Sequence, residues 1–295
     1  MQAFKVDLAT QPGFAGSGFG EDEVALMAAA AREKLATMCE STTSSTCVLS
    51  AEDICTFTVA ELGSLKRFID PLFDSIDIIL YVRPLKDRME SGFQEILKTR
   101  FRAIDQRFPL NYMRLALNFD EVFNQERVHF FKFAPETFPD GDIVTHFLAQ
   151  VGAPAPAGKA GRDNSRMSKE AVQLLYAYRK YFTTQDEHDA EIVSRLEGVG
   201  STPFHFHSAL FRRLLHTGKN ASARFEQRAG FSIEHDIQAN DAIGIKGEED
   251  LLAFPAESIR WLSKQLTLKE KLKFRRSRRP DRVAQALRSL VAPTA

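Results

Sequence analysis

The chain has 295 residues, of which 44% are apolar and 26% charged, a composition typical of globular proteins. It carries 39 basic and 39 acidic residues, so its net charge is zero, which argues against a general nucleic-acid-binding protein. No apolar run reaches the ~18–20 residues that a membrane-spanning helix needs, and no signal peptide is recognisable. Together with three cysteines that lack metal-ligand spacing, these features predict a cytoplasmic protein without a transmembrane segment.

The first 70 residues predict two helices and one strand. The glycine-rich segment 10–20 is typical of a loop, and apolar residues at helical spacing predict a helix over 21–38. The apolar run 46–50 is typical of a short buried strand. Thr58 and Glu61 have the spacing of a capping box, which predicts the start of a second helix.

The next segments alternate between strands and helices. Residues 76–82 (IDIILYV) form the clearest strand, and Pro84 ends it before a helix with an apolar face. A second strand is predicted over 127–133, and Asp142 is expected to cap the helix after it. Alternation of this kind indicates βαβ units. The predicted fold is therefore α/β, a parallel sheet flanked by helices, with a mostly helical part after Ser168.

Arg83 and Ser91 are the side chains most clearly placed for anion binding. In open parallel sheets, ligands bind beyond the carboxyl ends of the strands, and Arg83 follows the clearest strand. Its guanidinium offers a fork of donors that matches phosphate oxygens. Ser91 lies roughly two turns into the following helix, where helical side chains lean back toward the N-terminus. The alternative is an arginine paired with a carboxylate and an ordinary helical serine.

The segment around Arg83 and Ser91 resembles the sulfotransferase family, and its bacterial, carbohydrate-type branch in particular. The residues that carry the resemblance are Tyr81-Val-Arg83 and Glu90-Ser-Gly-Phe-Gln94. Further matches in chain order are Ser50-Ala-Glu52, Gly141-Asp-Ile-Val144 with Phe147-Leu148 and Gly152, and Asn164-Ser165 before Ser168-Lys-Glu-Ala171. The resemblance spans about residues 46–182.

The resemblance implies a P-loop-like fold and transfer of a sulfuryl group from 3′-phosphoadenosine 5′-phosphosulfate to a hydroxyl of a carbohydrate or small metabolite. By this resemblance Arg83 and Ser91 would hold the 3′-phosphate of the donor. The donor is a cosubstrate, and no metal is implied. Glu52 is the candidate base that accepts the proton of the hydroxyl, and Glu136 is a weaker one. The alternatives are a non-catalytic sulfotransferase-like module that binds a nucleotide or a partner, and a nucleotide kinase fragment.

One family element is not recognisable, the lysine-containing turn that holds the donor's 5′-phosphosulfate. Gly13–Gly20 has no lysine and precedes three acids, which disfavour phosphate at that helix N-terminus. Gly158-Lys159 and Gly218-Lys219 do not have the required spacing. We therefore expect a fold without its first βα unit, weak donor binding and little turnover.

The C-terminal part carries two weaker signals. His205 and His207 alternate with phenylalanines, which suggests one face of a short strand rather than a metal site. Residues 269–282 carry eight basic residues and two acids, typical of a solvated helix or tail, or of a docking site for an anionic glycan, nucleotide or membrane. The predicted organisation is a sulfotransferase-like domain over 1–265 and a basic helix or tail over 266–295.

Overall fold

The structure, a computed structural model, describes residues 2–5, 18–154, 166–183, 189–217, 220–234 and 237–291. These residues form a mixed α/β fold, mainly helical, with two small parallel sheets flanked by helices, which confirms the predicted class at this level. The helices are α1 Glu21–Ser41, α2 Val59–Ile69, α3 Leu85–Thr99, α4 Tyr112–Phe123, α5 Ile143–Gln150, α6 Lys169–Tyr181, α7 Asp189–Leu196, α8 Ser208–Leu214, α9 Ala221–Ala229, α10 Glu248–Leu251, α11 Ala256–Gln265, α12 Leu268–Phe274 and α13 Pro280–Ser289. The strands are β1 Ile78–Val82, β2 Phe108–Pro109, β3 Val128–Lys132 and β4 Leu215–His216.

The chain divides into two compact units. Unit 1 comprises residues 1–82, 111–131 and 218–231, and unit 2 comprises residues 83–110, 132–217 and 232–295. Within unit 2, α13 packs along α6, and α12 packs against α13. The domain boundary expected at 265/266 stays a prediction.

Unit 1 contains the strands β1 and β3, except for Lys132 at the end of β3. Phe130 of β3 meets Phe225 of α9 edge to face, with ring centroids 5.2 Å apart. The helix α2 begins at the expected capping box, because Thr58 accepts a hydrogen bond from the Glu61 amide and the Glu61 carboxylate accepts one from the Thr58 amide. This local sequence signal was sufficient to locate the helix N-terminus.

The strand predicted over 46–50 is wrong. The segment forms neither a strand nor a helix, and all five of its residues are exposed. A short apolar run becomes a strand only where a neighbouring strand accepts its backbone hydrogen bonds, and within the described residues this run pairs with none. The apolar side chains Val48 and Leu49 remain 47% and 37% exposed.

The core of unit 2 lies between α3 and α6. Residues 170–179 of α6 are all buried, and α3 packs against α6 with the expected apolar face of Met89, Phe93 and Leu97. The Phe93 ring stacks on Phe204 with centroids 5.9 Å apart. Aromatic pairs of this kind add to the free energy gained by burying their area. This packing holds α3, which carries Ser91, in a fixed position within unit 2.

Candidate functional site

Arg83 and Ser91 contact each other in unit 2. Arg83 directly follows β1, and Pro84 is the N-cap residue of α3. The Arg83 Nη1 donates to Ser91 Oγ at 3.2 Å. Two side chains separated by eight residues therefore meet at the start of α3.

The Arg83 guanidinium also lies on an aromatic face. Its Cζ is 4.7 Å from the centroid of the Phe133 ring, within the range of a cation–π contact. Both side chains are partly exposed. Stacking on one face and a hydrogen bond at one nitrogen restrict the rotation of the guanidinium while leaving it accessible to solvent.

The sequence predicted that Arg83 follows a central strand of the parallel sheet, and the structure differs from that expectation. Within the described residues β1 pairs with β3 alone, so Arg83 follows a strand of a two-stranded sheet and not a central strand of a larger one. The sequence could not show this, because the number of neighbours of a strand depends on segments far away in the chain.

A half-open pocket of unit 2 lies at the N-terminal end of α3. Its walls include Lys86, Glu90, Lys132, Phe133, Glu136 and His205. Arg83 and Ser91 are not among its lining residues, but Phe133 joins the two features, because its ring lines the pocket and also supports Arg83.

The two lysines of the pocket have different roles. The Lys86 side chain is buried, and its Nζ donates to the carbonyl oxygens of Ile237 and Ala239, both at 2.8 Å. Lys86 therefore fixes the 237–239 segment. Lys132 ends β3 and is partly exposed at the wall of the pocket. Lys132 is thus a cation that an anionic group in the pocket can reach.

Glu90 and His205 form a pair that the sequence did not reveal. The Glu90 side chain is fully buried and accepts a hydrogen bond from the Phe206 amide at 2.9 Å. Its other oxygen lies 3.0 Å from Nδ1 of His205. A buried carboxylate that orients an imidazole is an arrangement used in acid–base chemistry. The partners are 115 residues apart, so only the tertiary structure brings them together.

The residues Glu90–Gln94, which carry the resemblance to sulfotransferases, lie on two faces of α3. Glu90, Phe93 and Gln94 face the interior, and Gln94 Oε1 accepts a hydrogen bond from the Met167 amide at 2.9 Å. Ser91 lies on another face and contacts Arg83. Upstream of α3, Tyr81 in unit 1 packs on Phe131, and burial raises the pKa of its phenol. Glu90, Phe93, Gln94 and Tyr81 therefore make contacts inside the protein, whereas Arg83 and Ser91 are partly exposed.

The two candidate bases lie in different units. Glu52 belongs to unit 1, where it is exposed and precedes a short 3₁₀ turn. Glu136 belongs to unit 2 and lines the pocket described above. The roles of Glu52 and Glu136 stay predictions, and the structure places the Glu136 carboxylate in the same pocket as the His205 imidazole.

Several other sequence signals have definite outcomes. Asp142 caps α5 and accepts hydrogen bonds from the amides of Val144 and Thr145, as expected. His207 caps α8, and Phe206 forms an isolated bridge with Ile245 in place of the expected short strand. Gly13-Phe-Ala-Gly-Ser17, Gly158-Lys159, Asn164-Ser165 and Gly218-Lys219 lie outside the described residues.

Within the described ranges, no group of three or more His, Cys, Asp or Glu side chains could hold a metal ion. The same ranges contain no helix with the length and apolar character needed to cross a bilayer. Comparisons of the chain with protein-family models, with curated proteins and with solved structures found no significant match.

Proposed function

We propose that the chain is a sulfotransferase-like protein that binds 3′-phosphoadenosine 5′-phosphosulfate through Arg83 and Ser91. Its reaction would transfer the sulfuryl group to a hydroxyl of a carbohydrate or small metabolite. The observation that carries the proposal is the 3.2 Å contact between Arg83 Nη1 and Ser91 Oγ. It supports a 3′-phosphate site because the guanidinium fork and the hydroxyl can donate to the same phosphate group.

Transfer of the sulfuryl group needs a base and a cation near the reacting atoms. The acceptor oxygen loses its proton and attacks the sulfur, the bond between sulfur and the phosphate oxygen breaks, and 3′-phosphoadenosine 5′-phosphate leaves. We assign the base to His205, because Glu90 holds its Nδ1 and the tautomer that donates Nδ1–H leaves Nε2 basic. Lys132 is the cation that we assign to the departing oxygens. Glu52 and Glu136, the two candidates from the sequence, are the alternative bases.

The nucleotide site is tested by calorimetry with two ligands that differ in the 3′-phosphate. We expect Arg83→Ala to weaken binding of 3′-phosphoadenosine 5′-phosphate by about 1.5–3 kcal/mol, the range for a hydrogen bond to a charged group. Binding of adenosine 5′-monophosphate should not change, because it has no 3′-phosphate. Arg88→Ala is the matched control, since Arg88 lies on the exposed face of the same helix. An equal loss of affinity for both nucleotides would show that Arg83 does not bind the 3′-phosphate and would contradict the proposal.

Catalysis is tested separately with a labelled sulfuryl donor and a panel of glycan and small hydroxyl acceptors. Because the sequence has no recognisable lysine-containing turn, we expect low turnover that His205→Gln and Lys132→Ala abolish. Glu52→Gln and Glu136→Gln distinguish the alternative bases. Normal nucleotide binding without transfer to any acceptor would favour the non-catalytic, nucleotide-binding alternative.

A further inference from the structure

The basic C-terminal segment is a fixed structural element of unit 2. Phe274 is buried, and α12 begins at a capping box formed by Thr267 and Glu270. After the left-handed residues Arg275 and Arg276, α13 buries Val283, Ala284, Ala286 and Leu287. The segment therefore presents its outer surface in a defined orientation within unit 2.

That outer surface is strongly basic. All eight lysines and arginines of the segment are exposed: Lys269, Lys271, Lys273, Arg275, Arg276, Arg278, Arg279 and Arg282. The two acids of the segment, Glu270 and Asp281, offset only two of these eight positive charges. The Glu270 carboxylate accepts hydrogen bonds from the Thr267 amide and hydroxyl, both at 2.7 Å, and Asp281 pairs with Arg279. An anionic partner is the chemistry that this surface fits.

Two leucines lie among these cations. Leu268 is 78% exposed and Leu272 is 69% exposed; among the large apolar side chains of the described residues they rank first and third, with Leu26 of α1 between them at 71%. They are four residues apart, so they share one face of α12, turned away from the buried Phe274. Lys269, Lys271 and Lys273 flank them on both sides of the helix. Exposed leucines contribute little to binding a nucleic acid or a sulfated glycan, whereas a lipid bilayer offers them an apolar environment.

We propose that α12 and the arginines after it dock on an anionic lipid bilayer. The leucines enter the boundary between head groups and acyl chains, while the lysine and arginine side chains reach the anionic head groups. This inference does not depend on the proposed nucleotide site, since Arg83 and Ser91 take no part in it.

The test is co-sedimentation of the full chain with phosphatidylcholine vesicles, with and without phosphatidylglycerol. We expect binding only to the anionic vesicles and a loss of binding as salt rises. Lys269→Glu with Lys273→Glu should weaken it at least roughly tenfold, as expected for charges beside an anionic surface. The matched control reverses two exposed arginines of α8, Arg212→Glu with Arg213→Glu, which gives the same change in net charge.

Substitution of Leu268 and Leu272 distinguishes binding to a bilayer from binding to other polyanions. We expect Leu268→Ser with Leu272→Ser to weaken vesicle binding about tenfold, because partial burial of two leucines is lost. The control Leu26→Ser removes a leucine that is 71% exposed in α1, and it should have no effect. Vesicle binding that is insensitive to the leucine pair would overturn the proposal. Tighter binding to RNA or heparin than to anionic vesicles would also overturn it.

Discussion

Arg179 and Arg83 belong to the same unit and have opposite environments. The Arg179 side chain is 1% exposed; its Nε donates to the Leu97 carbonyl at 2.9 Å, and its other nitrogens reach Lys98 O and Asp189. Arg83 is partly exposed, donates to Ser91 and stacks on Phe133. Protein acceptors enclose the first guanidinium, so we assign it to stability. The second guanidinium is partly exposed, and it is the one that we propose for ligand binding.

The largest expected effect tests the structural side of this comparison. Arg179→Ala leaves Asp189 and two backbone carbonyls without their cation, so the free energy of unfolding should fall by about 3–5 kcal/mol. Urea denaturation measures the change. The control Arg195→Ala removes an exposed pair with Glu191 and should cost no more than about 1 kcal/mol. Equal losses in the two variants would contradict the assignment of Arg179 to the core.

Substitution of Gly244 tests whether the backbone next to His205 is as rigid as the interior of unit 2. A Cβ at Gly244 would lie 2.7 Å from the His207 amide nitrogen, and the neighbouring Ile245 exchanges backbone hydrogen bonds with His207 and with His205, which lines the pocket. Because backbone atoms must move, we expect Gly244→Ala to lower the free energy of unfolding by about 1–3 kcal/mol.

The matched control for that substitution is Gly247→Ala, where a Cβ would meet no atom within 4 Å. Thermal unfolding of both variants provides the measurement. If Gly244→Ala behaved like its control, the backbone next to His205 would be able to shift, and the position of His205 would be less fixed than we infer.

A smaller effect tests the ligand-binding side of the comparison. Phe133→Leu removes the aromatic face under Arg83, so affinity for 3′-phosphoadenosine 5′-phosphate should fall by about 0.5–1 kcal/mol, the value of an exposed cation–π contact. Phe133→Tyr keeps that face and should bind normally in calorimetry. A normal affinity in the leucine variant would show that the ring does not position Arg83.

The smallest effect concerns the partly exposed carboxylate of Asp142. Hydrogen bonds from the Thr145 hydroxyl and from the amides of Thr145 and Val144 hold the pKa of Asp142 below its ordinary value of 3.8. The stabilising contribution of this cap is complete above the unfolded pKa and is lost as pH falls through the lower folded pKa. Asp142→Asn keeps an oxygen acceptor and should remove this pH dependence. Carboxyl NMR titration of the unsubstituted protein measures the Asp142 pKa, and unfolding of both proteins at several pH values measures the pH dependence. A pKa of 3.8 or higher would contradict the cap.

The sequence determined the elements whose signals are local. The strand β1, the strand β3, the capping box of α2, the Asp142 cap and the apolar face of α3 all depend on residues within a few positions of one another. The same is true of the contact between Arg83 and Ser91. Arg83 lies two positions before the start of α3 and Ser91 lies within that helix, so a short local segment sets the distance between them. The resemblance that suggested their role depends on this local segment.

Tertiary structure alone decided the features that require distant segments. Within the part of the chain that the structure describes, the apolar run 46–50 has the composition of a strand but no neighbouring strand, and β1 pairs with β3 alone. His205 meets Glu90 across 115 residues, and Arg179 reaches carbonyl oxygens about 80 residues away in the chain. Such contacts follow from how whole helices pack, because burial selects a partner by position in space and not by distance along the chain.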